Sequence, residues 1–188
     1  MKQDWMTLEA FWQHCRTHPV SPLLRLLLSS DGTMVRAFTG LFLEPTALQV
    51  VEQGDGVIDE ALSQTLGVPI GEKAMKRRVW LRARRGRSGY EKCLYAVSIF
   101  PISKIQPNLY QDIRLGKKPI GRMIEDRRLA TWRDALEIAY LPNPDAAEGL
   151  ALPEDTCFWT RRYRLTMPGQ LLASIREVIS PQLSSFSS

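Results

Sequence analysis

Two runs near the end of the chain, Cys157 to Met167 and Leu171 to Ile179, alternate residue by residue and are separated by Pro168-Gly169-Gln170. Period-two alternation across a Pro-Gly break is the pattern of an antiparallel hairpin, and it commits this end of the chain to a sheet. In the first run Phe158, Thr160, Arg162 and Arg164 face one way, and Trp159, Arg161, Tyr163 and Leu165 the other. In the second, Ala173, Ile175, Glu177 and Ile179 share a face. A carboxylate on an apolar face is costly to bury unless it is compensated, so Glu177 implies a cation partner, a bound proton or a polar cavity. Arg161, on an aromatic and apolar face, implies stacking or an ion pair.

A second hairpin lies earlier. Val79 to Arg85 and Lys92 to Phe100 read as strands turned at Gly86-Arg87-Ser88-Gly89, with Trp80, Arg82 and Arg84 on one face and Val79, Leu81 and Ala83 on the other. The first 45 residues read as helical, with Trp5, Leu8, Phe11 and Trp12 at helical spacing and Pro22 opening the Leu23–Leu28 stretch. Leu48 to Glu52 reads as a strand, Ile102 to Arg114 as a helix, a further helix starts at Pro119, and Arg133 to Tyr140 reads as a strand. Pro142 to Asp155, rich in Pro, Ala, Gly and acids, is expected to be a long mobile loop. Helices at the front and hairpins behind give an α+β fold: one antiparallel sheet with helices on one side. A single domain over 1–188 is expected, with residues 1–20 a helical extension and 182–188 a frayed tail.

The chain has 188 residues and a net charge of +5, with 44 % hydrophobic and 24 % charged residues, which excludes wholesale disorder. From Lys73 to Lys92 it carries nine basic residues and one acid, so the remainder is net acidic and the basic character is confined to one element. No apolar run reaches the roughly 18 residues of a membrane span. Cys15, Cys93 and Cys157 are widely separated and odd in number, and with only His14 and His18 beside them neither a disulfide framework nor a zinc site is expected. A reducing, cytoplasmic compartment and a monomer are expected. Phosphate loops, zinc-hydrolase motifs and nucleophile elbows are not found. What remains is chemistry done with Arg, Glu and backbone amides, including the two cations and free helix-start amides of Lys117-Lys118-Pro119-Ile120.

Four anchors in order resemble the chorismate pyruvate-lyases (4-hydroxybenzoate synthases). They are Leu26-Leu27-Leu28 with Asp31-Gly32-Thr33-Met34; Val79-Trp80-Leu81-Arg82 with its return strand Val97 to Ser103; Leu115 to Arg122; and Arg161-Arg162-Tyr163-Arg164-Leu165 through Gly169 to Glu177. The likeness is greatest to the cyanobacterial and plastid branch. It implies helical flaps over a buried ligand, and conversion of chorismate to 4-hydroxybenzoate and pyruvate for a plastoquinone or ubiquinone head group. No cofactor, metal or nucleic-acid partner is implied. By position, Arg82 resembles the arginine that binds the ring carboxylate. Met34 and Ile120, the latter where the family has leucine, resemble the residues whose amides assist it. Glu177 resembles the glutamate at the far side of the ring. Arg161, Arg162 and Lys118 are the candidates for the pyruvyl carboxylate. The alternative is a non-catalytic effector-binding module of the same fold.

Overall fold

The computed structural model describes residues 5–84, 89–168 and 170–186, with the backbone alone for 184–186. The Gly86 turn, Gly169 and the last two residues of the expected tail lie outside them. In chain order the elements are β1 (Met6–Thr7), α1 (Leu8–Thr17), α2 (Pro22–Ser29), α3 (Met34–Phe42), β2 (Ala47–Val57), α4 (Glu60–Leu66), β3 (Lys73–Arg84), β4 (Tyr90–Pro101), α5 (Pro107–Arg114), α6 (Ile120–Asp126), β5 (Trp132–Pro142), α7 (Pro144–Leu150), β6 (Cys157–Met167) and β7 (Gln170–Ile179). Among the described residues seven strands form one antiparallel sheet in the order β1-β5-β6-β7-β4-β3-β2. The fold is α+β.

The N-terminal helices begin where their caps dictate. Thr7, Ser21 and Thr33 each accept a hydrogen bond from the amide three residues on, so α1, α2 and α3 start at defined points. These helices seal one end of the inner sheet face through Phe11, Leu27, Leu28, Met34 and Phe38, while α5 and α6 cover the other end through Leu109, Ile113, Met123 and Ile124. The segment 5–20 is therefore packed onto the core: Phe11 is fully buried, and β1 pairs with β5.

The outer face carries two short helices. Ile58 and Leu66 of the α4 segment cover Ala74, and Ala146 and Ala147 of α7 cover Trp80 and Tyr95. Helix α7 occupies what the composition suggested was a mobile loop. Asn143 caps it at the Ala146 amide (2.9 Å), Pro144 supplies its first turn, and Gly149 lies so close to the Trp80 indole that a Cβ there would meet it at 2.6 Å. The expected tail also differs. Residues 181–186 form a 3-10 turn whose Leu183 is buried in the core.

Two irregularities decide which side chains meet. Between Asp134 and Glu137, β5 carries one more residue than β6, with Ala135 at φ 51°. The bulge turns Arg133, opposite Leu165, to the inner face, and Glu137, opposite Arg162, to the outer one. β3 starts at Lys73, six residues before the stretch read from sequence, and this brings Arg77 onto the inner face with Val79 and Leu81.

Candidate functional site

Between the inner face and the N-termini of α3 and α6 lies a cavity of about 560 Å³, counting its mouth. Its wall is largely apolar (Val79, Leu81, Ile124, Leu165), and its polar side chains are few: Thr33, Arg77, Ser98, Arg133, Tyr163 and Glu177.

Glu177 and Arg161 stand directly opposite on β7 and β6, with Arg161 Nε donating to the carboxylate at 2.6 Å. Arg161 is fully buried and also donates to the carbonyls of Leu27 (2.8 Å) and Ser30 (2.8 Å) at the C-terminal end of α2. Burial, the largest single influence, pulls its guanidinium down, but the charge and hydrogen bond of Glu177 together with Tyr163 and Asp31 outweigh it, and the net shift is upward. The apolar-face glutamate and the apolar-face arginine are thus each other's partners, and Arg161 locks the segment leading into Met34.

Arg77 is uncompensated. It is 1 % exposed, its Nε has no partner, and one Nη donates to the Lys118 carbonyl at 3.3 Å. Among the described residues no carboxylate pairs with it, and burial pushes its guanidinium down to about 10. Arg133 is similar. Its Nε is buried without a partner, one Nη donates to the Asp31 carbonyl, and the guanidinium lies 5.2 Å from the Tyr163 ring centroid. The Tyr163 hydroxyl is driven up by burial, with the Glu177 charge adding to it. The cavity therefore holds one carboxylate, Glu177, neutralised by Arg161 behind it, and two cations that have no counter-charge among the described residues.

Met34 and Ile120 are the first residues of α3 and α6, and both line the cavity. The two helix starts are tied by Thr33 Oγ1, which donates to Glu125 at 2.6 Å. Gly121 permits their approach, since a Cβ there would lie 2.9 Å from Thr33 Cβ. Gly121→Ala is expected to force α6 away from α3 and weaken ligand binding by on the order of 10–100-fold, read by titration of 4-hydroxybenzoate.

Residues 28–187 match the family described as chorismate pyruvate-lyase Rv2949c-like. The chain belongs to that family. No curated relative matches it. Among solved structures, this lyase-family chain is similar to the effector domain of PhnF from Mycobacterium smegmatis, at 18 % identity and a TM-score of 0.61 over 80 % of this chain and 90 % of that one. It is similar to PhnF itself at 15 % identity and a TM-score of 0.65, over 96 % of this chain and 88 % of that one. A GntR-family transcriptional regulator from Bacillus cereus follows at 12 % identity and 0.57, over 73 % and 92 %. At these identities the likeness is one of fold.

Of the residues expected at the lyase site, Met34, Ile120 and Glu177 line the cavity and Arg82 does not. Arg82 shares Trp80's face, as its parity requires, but that is the outer face. It sits near the rim beside Tyr90, 5.6 Å from the ring centroid. The cavity arginine on β3 is Arg77, five residues earlier. Of the other cations, Arg161 is committed to Glu177, Arg162 pairs with Glu137 at 2.7 Å on the outer face, and Lys118 pairs with Asp126 at 2.8 Å. Arg133, made inward-facing by the bulge, was not legible from parity.

Proposed function

We propose that the protein is a chorismate pyruvate-lyase, forming 4-hydroxybenzoate and pyruvate. The observation that carries this reading is a pair of arginines without a carboxylate partner among the described residues, the buried Arg77 and the half-buried Arg133, in a cavity whose one carboxylate is already paired. Unpartnered buried polar groups are costly, and their retention in a largely apolar cavity suits a ligand with two carboxylates and an apolar ring. Chorismate has that composition.

In this reading Arg77 takes the ring carboxylate, assisted by the Met34 and Ile120 amides, and Arg133 takes the carboxylate of the enolpyruvyl group. Glu177 accepts a hydrogen bond from the ring hydroxyl and receives the proton of the carbon bearing it. The electron pair of that C–H bond completes the aromatic ring as the ether C–O bond breaks. The departing enolpyruvate gains a proton and becomes pyruvate. Aromatisation supplies the driving force, so the protein's work is to fix geometry and exclude water. The product would feed synthesis of a quinone head group.

Substrate carries two carboxylates and the aromatic product one, so Arg133→Ala separates the two cations. It is expected to raise KM for chorismate by roughly 10–100-fold while changing the inhibition constant of 4-hydroxybenzoate little. Steady-state formation of 4-hydroxybenzoate, followed by its absorbance, is the assay. Equal losses for both ligands would remove Arg133 from the pyruvyl position, and an absence of turnover in the wild type would remove the lyase reading. The second reading, an effector-binding module, is favoured by the regulator domains of like fold; it expects binding without turnover.

A further inference from the structure

The outer sheet face holds a groove of about 1190 Å³, counting its mouth, between α4 and α7. Arg162 and Arg176 stand directly opposite each other there in the β6–β7 register. Like charges directly opposite on a ladder repel. Glu137 compensates Arg162 at 2.7 Å, but among the described residues no acid pairs with Arg176. Lys76 and Arg164 add two more cations to the groove, and Arg164 Nε is buried without a partner.

The acids lining the groove are otherwise engaged. Asp59 caps α4 at the Leu62 amide (2.8 Å), and Asp145 accepts from the Tyr95 hydroxyl (3.2 Å) and faces Arg78 at 3.5 Å. Trp5 lies over both opposed guanidiniums, with its ring centroid 4.1 Å from that of Arg162 and 5.6 Å from that of Arg176. Stacking of this kind holds a guanidinium plane while leaving its N–H edges free to donate. Burial, and then the charge of Arg162, holds the Arg176 guanidinium below its ordinary range.

We propose that this groove is a second ligand site, separate from the inner cavity, that binds an anion through a phosphate group. Three cations (Lys76, Arg164 and Arg176) with no ion pair among the described residues, on a rigid sheet floor, match a dianion better than a single carboxylate, and the guanidinium forks match phosphate geometry. The phosphate belongs to the free ion or to a phosphorylated small molecule. The two are told apart by their probes, inorganic phosphate and glucose 6-phosphate.

The test is thermal unfolding of the full chain in each probe against chloride at matched ionic strength. Wild type is expected to gain roughly 5 °C at saturating probe. Arg176→Gln is expected to melt no lower than wild type in chloride, because it removes a repulsive pair, and to lose the gain. Arg77→Gln, which alters the inner cavity, is expected to keep it. Should Arg176→Gln fold poorly, Arg164→Gln reads the same loss. A gain with both probes assigns the site to the phosphate group, and a gain with the ester alone assigns it to a phosphorylated molecule. No gain in wild type, or an undiminished gain in both groove variants, would overturn the proposal.

Discussion

Arg77→Met is expected to weaken ligand binding by roughly 30- to several-thousand-fold and at the same time raise the melting temperature. Arg77 is buried with one long hydrogen bond and no counter-ion, so the empty protein carries the desolvation cost of a lone cation. Replacing it by an apolar side chain of similar length should recover about 1–3 kcal/mol, which for a chain of this size is several degrees. A bound carboxylate is what offsets that cost, and losing a charge-assisted contact to it should weaken binding by about 2–5 kcal/mol. Burial sets the guanidinium at about 10, below its ordinary range. The cost is therefore fully present at neutral pH and shrinks as pH rises above about 10, so the stabilisation by Arg77→Met should shrink over the same range. Arg82→Ala is the control and should leave both binding and turnover near wild type.

Glu177→Gln should separate binding from chemistry. The amide keeps the shape and an acceptor but cannot take a proton, so turnover should fall by roughly 10²–10⁴-fold while 4-hydroxybenzoate still binds. It also leaves Arg161 without its anion. Breaking a buried pair from one side costs about 3–5 kcal/mol, so Glu177→Ala should be strongly destabilised and Glu177→Gln less so. The double variant Arg161→Met/Glu177→Leu should recover stability, because an apolar pair replaces the ionic one, and remain inactive. A double-mutant cycle of melting temperature and of turnover checks both outcomes. If Glu177→Gln turns over like wild type, Glu177 has no part in moving the proton.

The sequence showed the sheet because the two hairpins alternate cleanly. It showed Glu177 and Arg161 because each is a charge on an apolar strand face. Their mutual pairing needed only the register of one hairpin. Arg77 could have been found by the same rule. Extending β3 back to Lys73 puts it on the face of Val79 and Leu81, where a charge stands out as Glu177 does. Arg82, in Trp80-Leu81-Arg82, lies on the opposite face beside Tyr90. Arg133 was beyond parity, because a bulge with Ala135 at positive φ reverses the alternation between it and Glu137. Helix α7 was hidden by loop-like composition, although Asn143-Pro144-Asp145 carries a cap, a helix-start proline and a first-turn acid.

Whether the cavity is a lyase site is decided by the stoichiometry of products from purified protein and chorismate, with Arg77→Met in parallel. 4-Hydroxybenzoate and pyruvate are expected in equal amounts over many turnovers from the wild type, and neither above the uncatalysed rate from Arg77→Met. Tight binding of 4-hydroxybenzoate without product formation by the wild type, or equal turnover by the two proteins, would contradict the lyase reading.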